Sequence, residues 1–85
     1  MEEEIGKVMH YFTHLGVAVV DIISGELSVG DKIFVKGNIS NFTQKVESMQ
    51  IEHDSIKSAK AGQSIGLKVK EHAREHDVVY KIIED

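Results

Sequence analysis

Two pairs of histidines, His10/His14 and His72/His76, stand four residues apart, the spacing that would put two imidazoles on one helical face to hold a metal. Neither pair lies in a stretch with helical apolar periodicity. Exposed or turn positions are the simpler reading, and no metal site is expected. Ser24, Ser28, Ser48 and Asp54 fall in turn-rich segments where hydrogen bonds to the nearby backbone account for them. No serine, histidine and acid grouping has a spacing specific enough for nucleophilic catalysis. The chain has no cysteine, which removes thiolate ligands, a cysteine nucleophile and disulfides together and fits a reducing cytoplasm. Gly25 to Lys32 has the glycine spacing of a phosphate loop. Asp31, however, stands where the loop's lysine is required, and the segment runs into a strand where a helix N-terminus should receive the phosphate. Nucleotide binding is not expected, no cofactor is implied, and the chain reads as non-catalytic.

Lys32, Phe34 and Lys36 carry a different chemistry. Strand alternation puts the ring between two ammonium groups on the face away from Ile33 and Val35, an arrangement on which a base of single-stranded RNA could stack. The plainer reading is that Phe34 packs against a neighbouring strand or a partner domain while the lysines stay solvated. Lys68 and Lys70 share a face by the same alternation and would extend the patch or merely solvate it.

The elements that would position these residues belong to one domain, residues 1–85, whose large surface for its volume favours a compact closed shape. Fourteen Asp plus Glu against ten Lys plus Arg give a net charge of −4, so any contact with a phosphate backbone must be local. The longest apolar runs, such as Val17 to Val20, fall far short of the roughly 20 residues a membrane-spanning helix needs, and Met1-Glu-Glu-Glu is the wrong charge for a signal peptide. A cytoplasmic protein starting at Met1 is the expectation.

Period-two alternation and turn signals mark six strands: Ile5 to Phe12, Val17 to Ile23, Lys32 to Lys36, a stretch from Phe42 onward, Ser64 to Lys70, and Val78 to Ile83. Val17 to Ile23 is apolar on both parities, as a strand with a covered outer face would be. From Phe42 the alternation switches parity before Met49 and Ile51, which suggests a bulge near Glu47-Ser48. Asp54 to Gly62 reads as a polar loop, and Glu71 to Asp77 as a charged link. Val29-Gly30-Asp31 and Ala61-Gly62-Gln63 share one turn logic, glycine supplying positive φ and the next side chain bonding the backbone. Gly30→Val should therefore be badly tolerated. Gly66 is expected to let another backbone come close. The expected fold is all-β, a small closed barrel of six or seven strands. Its core would comprise Val8, Val17, Val19, Ile33, Val35, Val46, Ile51, Ile65, Leu67, Val69 and Ile82.

Several segments in order, Leu15-Gly16-Val-Ala-Val-Val, Gly25-Glu-Leu-Ser-Val-Gly30-Asp31-Lys-Ile-Phe-Val, Met49-Gln-Ile and Ala61-Gly62-Gln-Ser-Ile-Gly66-Leu, span most of the chain. Together they resemble the β-barrel second domain of translation GTPases, the family of elongation factor Tu and initiation factor two. Phe42-Thr-Gln-Lys-Val-Glu-Ser-Met-Gln-Ile-Glu-His makes the chain more similar still to stand-alone elongation-factor-like proteins and to the terminal barrel of collagenase-like peptidase family proteins, some of which take part in RNA hydroxylation. The first resemblance implies a translation-protein barrel acting beside a tRNA end or ribosomal RNA through a face with Gln50, Glu52 and His53. Gln50 and His53 stand where that family has an acidic and a basic residue. The second implies an accessory barrel that docks substrate or protein for a larger peptidase-like or RNA-hydroxylating subunit.

Overall fold

The computed structural model describes residues 1–83. Its strands are β1 (Glu2–Phe12), β2 (Val17–Ile22), β3 (Glu26–Ser28), β4 (Lys32–Lys36), β5 (Asn41–Lys45), β6 (Met49–Ile51), β7 (Asp54–Ile56), β8 (Ser58–Lys60), β9 (Ser64–Lys68) and β10 (Val78–Ile82). Eight form one sheet in the order β5-β4-β10-β1-β2-β9-β6-β7, and β3 pairs with β8 in a separate ribbon. No helix among the described residues is long and apolar enough to cross a membrane. The sheet curls around a single apolar core that includes Ile5, Val8, Val20, Leu27, Ile33, Val35, Ile65, Leu67 and Val79, none more than 1% exposed.

The all-β class agrees with the sequence reading, whereas closure into a barrel is not made by a continuous ladder. β5 and β7 are the two ends of the sheet and do not pair with each other. Near β5 the gap is bridged by side chains, with the most hydrogen bonds made by Gln44. The buried Gln44 amide donates through Nε2 to the carbonyl oxygens of Lys68 (3.0 Å) and Lys45 (3.3 Å), and its Oε1 accepts from the Lys70 N–H at 2.8 Å. It satisfies backbone groups that would otherwise lack partners at a buried edge.

β1 owes its curvature to two irregularities. The register slips between Glu4 and Gly6 in the pairing with β10, and between Val8 and His10 in the pairing with β2. Each extra residue advances the inward face by three positions, so Ile5 and Val8 are both buried and Tyr11 packs on the core. The bulges therefore lie in β1, and the one expected near Glu47-Ser48 is absent. The parity switch there arises because β5 and β6 are separate strands, one on β4 and the other on β9 and β7.

Three turns repeat one construction. In Ser28-Val29-Gly30-Asp31 the Asp31 carboxylate accepts the Ser28 N–H at 2.8 Å, and the Asp31 N–H donates to the Ser28 carbonyl at 3.0 Å. Lys60-Ala61-Gly62-Gln63 does the same with the Gln63 amide oxygen (2.8 and 3.2 Å), and Arg74-Glu75-His76-Asp77 with the Asp77 carboxylate (2.8 and 3.1 Å). The third residue has positive φ in every case, 100°, 96° and 77° for Gly30, Gly62 and His76, as a type II turn requires. Each turn also clamps one distant residue by a reciprocal backbone pair. Gly30 N and Asp31 O hold Val46, Gly62 N and Gln63 O hold Ile22, and His76 N and Asp77 O hold Val8. The charged link of the sequence reading is thus a third clamp, hidden because histidine occupies the glycine position.

Substitutions at these positions should have opposite signs. A Cβ at Gly30 would meet nothing within 4 Å, so Gly30→Val acts through backbone strain alone and should cost about 1 to 2 kcal/mol. The His76 side chain is exposed, and His76→Gly should relieve comparable strain and stabilise by about 1 kcal/mol, raising the melting temperature by about 4 to 8 °C. Thermal denaturation of the two variants checks both signs. A destabilised His76→Gly would show that the turn is not strained.

Other expectations are revised. On β2 the inward residues are Ala18, Val20 and Ile22, so Val17 and Val19 leave the predicted core for the outer face. Ile51 and Ile82 are only half-buried, Ile51 packing at the margin of the core. Asp54 to Gly62 is not a loop, since it holds β7, β8 and a clamp turn.

Candidate functional site

The outward-facing valines of β2 line a groove. Val17 lies opposite Lys68 and Val19 opposite Gly66 on β9, and Gly66 in turn lies opposite Gln50 on β6. The missing side chain at Gly66 leaves a trough across three strands. A Cβ there would sit 3.2 Å from Gln50 Cγ and 3.4 Å from Val17 Cγ1. The close neighbours of Gly66 are side chains and not the backbone the sequence suggested. Phe12 and Leu15, from the corner between β1 and β2, stand at one end with 45% and 60% of their surface exposed. Ile51, Glu52 and His53 close the other end, and the groove has a volume of about 410 Å³.

Glu52 and His53 form a two-residue hairpin turn between the paired Ile51 and Asp54, with φ of 50° and 71°. Positive φ at both central positions is the type I′ geometry that favours Asn-Gly. A glutamate and a histidine held there cost conformational energy, and such strain gathers where side chains have work beyond packing. Among the described residues, the side chains of Gln50, Glu52 and His53 have no hydrogen-bond or ion-pair partner. They are therefore available to bond an incoming group.

The structure brings Gln50, Glu52 and His53 together at the groove and sets Lys32, Phe34 and Lys36 apart on β4, near the β5 end of the sheet. Phe34 does pack on a neighbouring strand, its ring stacked on Tyr80 with centroids 6.0 Å apart. The histidine pairs share no helical face. His10 is on β1 and pairs with Glu75 at 3.3 Å, His72 stacks on Tyr11, and His76 forms the third clamp turn. Among the described residues no three His, Asp or Glu side chains cluster as metal ligands would.

Sequence reasoning missed Phe12, Leu15, Val17 and Val19 as groove residues. The available signal was the double-parity apolar run from Val17, since one face of such a strand must either be covered or await a partner.

No protein-family model matches the chain. It is similar to C-terminal domains of U32-peptidase-type proteins. The C-terminal domain of a U32 peptidase-family protein from Geobacillus thermoleovorans superposes with a TM-score of 0.87 at 27% identity, covering 95% of this chain and 93% of that one. A protein named collagenase from Porphyromonas gingivalis is 41% identical over 78 residues, 91% of this chain and 22% of that protein. An uncharacterized protease from Methanocaldococcus jannaschii is 34% identical over 82 residues, 95% of this chain and 20% of that protein. The chain thus spans about a fifth of the length of these curated relatives. They are peptidase-type proteins and not translation factors, so the collagenase-like resemblance is the one the comparisons support.

Proposed function

We propose that this chain is a non-catalytic docking domain of the U32-peptidase type, seated on a larger enzyme body through the groove between Phe12, Leu15 and Ile51. The single observation that carries the reading is an apolar trough on the outer face of the sheet, in a chain whose curated relatives are several times longer. Burial of one large apolar side chain contributes about 1.5 to 3 kcal/mol, so covering Phe12 and Leu15 would supply the apolar centre of an interface, with Gln50, Glu52 and His53 as its polar rim. We read the curled sheet as a barrel of the translation-protein type whose seam is sealed by Gln44. On this reading the pure chain neither hydrolyses peptides nor binds GTP.

The test is binding of nuclease-treated, purified U32-peptidase-type enzyme body to the chain, followed by calorimetry. Phe12→Ser with Leu15→Ser should weaken the complex by about tenfold or more, while circular dichroism of the chain stays unchanged because both side chains are already exposed. Equal affinity of the double variant would refute the groove as the docking site. The same rim also suits an RNA contact. NMR shifts at Gln50 to His53 on adding a tRNA acceptor-end mimic, with no binding to the enzyme body, would replace docking by that reading.

A further inference from the structure

The outward residues of β2, β9 and β6 stand in rows two residues apart. Val17 lies opposite Lys68, whose backbone N–H reaches the Ser48 carbonyl at 3.3 Å, Val19 lies opposite Gly66 and through it Gln50, and Asp21 lies opposite Ser64. Successive rows are about 7 Å apart, the repeat of one face of an extended chain. The rows differ in charge. At the first, Lys68 Nζ donates to the Leu15 carbonyl oxygen at 2.7 Å, which uses one of its three N–H groups, and among the described residues no carboxylate pairs with it. Glu47, beside Ser48, turns to Lys70 at 3.5 Å, and His10, opposite Val19 on β1, turns to Glu75 at 3.3 Å. At the last row Asp21 accepts the Ser64 hydroxyl and lies opposite Lys7, which leaves Glu52 as the acid lining the groove without a partner. Gly66 stands between these ends. Its φ is not positive, and the atoms nearest an added Cβ belong to side chains, so neither backbone conformation nor a close backbone requires glycine in this strand. What its missing side chain provides is space, where the groove meets a second hollow of about 170 Å³ bordered by Lys68, Ser48 and Ser55.

We propose that the groove receives an extended segment of the enzyme body in which an acidic, a large apolar and a basic residue occupy alternate positions. The acid meets Lys68, the apolar side chain rests on Gly66 between Val17, Val19 and Gln50, and the base turns toward Glu52. The inference rests on the docking reading above and adds the chemistry of the partner. Alternate side chains of an extended chain share one face at about 7 Å, so the three anchors meet the three rows together. The hydroxyls of Ser48 and Ser55, unpartnered among the described residues, stand beside Lys68 as neutral donors for the same carboxylate. Burial of the apolar side chain supplies affinity, and the opposite charges at the two ends fix which way round the segment lies.

The test titrates the isotope-labelled full chain with a capped seven-residue peptide in which glutamate, leucine and arginine alternate with threonine, followed by NMR. Shifts should centre on Val17, Val19, Gly66 and Lys68. Lys68→Glu should weaken binding by about tenfold, and a peptide with lysine in place of glutamate should bind that variant better than it binds the unaltered chain. Damage to the fold would not produce such a rescue. Gly66→Val should fill the notch and lower the affinity of every peptide while circular dichroism stays unchanged. No shifts at millimolar peptide, or no rescue by the exchanged charge, would overturn the proposal. If the enzyme body still bound in that case, and less tightly to the Phe12→Ser, Leu15→Ser variant, docking through the groove would stand without it. Peptide binding with the rescue but no binding of the enzyme body would support this recognition and refute the enzyme body as the source of the segment.

Discussion

Gln44→Leu is expected to destabilise the fold by about 2 to 4 kcal/mol. The substitution fills a similar volume but leaves the Lys68 carbonyl and the Lys70 N–H without the partners they have at 3.0 and 2.8 Å. A buried group stripped of its hydrogen bond costs about 1 to 3 kcal/mol. Against a total stability of about 5 to 15 kcal/mol for a single domain, that is a large fraction. Gln44→Glu keeps the shape and one acceptor but loses the donor and places a charge in a buried site, so it should be at least as harmful. Urea denaturation of both variants separates hydrogen bonding from volume. If Gln44→Leu lost less than about 1 kcal/mol, the side chain would not be what seals the seam.

Gly6→Ala should be nearly as damaging, although a glycine inside a strand is ordinarily improved by a side chain. A Cβ at this position would lie 2.5 Å from the backbone carbonyl oxygen of Asp21 and 3.0 Å from Val20 Cγ1. Gly6 pairs with Ile22 on one side and Val79 on the other, so relief requires β2 to move away from the strand beside it. Overpacking of this kind costs about 3 kcal/mol, a fall of about 12 to 24 °C in melting temperature for a chain of this size. A thermal scan showing a drop of only a few degrees would mean that the bulge at Ile5 yields more easily than its hydrogen bonds to Ile23 and Ser24 suggest.

The parts of the fold that were legible in the sequence are those set by local chemistry. Alternation placed β4 and β9 correctly, with Ile33, Val35, Ile65 and Leu67 inward, and the glycine turns at Gly30 and Gly62 formed as their residues require. Parity failed where the sequence was apolar on both faces. Nothing local distinguishes Val17 and Val19 from Ala18 and Val20, and the choice is made by which of them meets the opposite side of the core. The turns built on Glu52-His53 and His76 were hidden because positive φ was assigned to residues that rarely adopt it. The role of Gln44 depends on Lys68 and Lys70, in one segment more than 20 positions away, which no local pattern reveals. For the site, Gln50, Glu52 and His53 were named from family resemblance, and the structure gathers them at one rim. The apolar walls of the groove came from the same parity ambiguity that misplaced the core.

The three clamp turns also bear on how the chain finds its fold. Asp31 reaches Val46 across 15 positions, Gln63 reaches Ile22 across 41, and Asp77 reaches Val8 across 69. Closing a flexible loop costs an entropy that grows with the logarithm of its length, so the longest of these closures exceeds the shortest by only about 1.4 kcal/mol. That difference is enough to rank them, by about a factor of ten, when the chain is still open. The clamp on Val46 has the lowest entropic threshold and the clamp on Val8 the highest. The three closures are nested in the chain, so forming an inner one would shorten the path left for the next and lower its entropic cost, in a topology rich in long-range pairings.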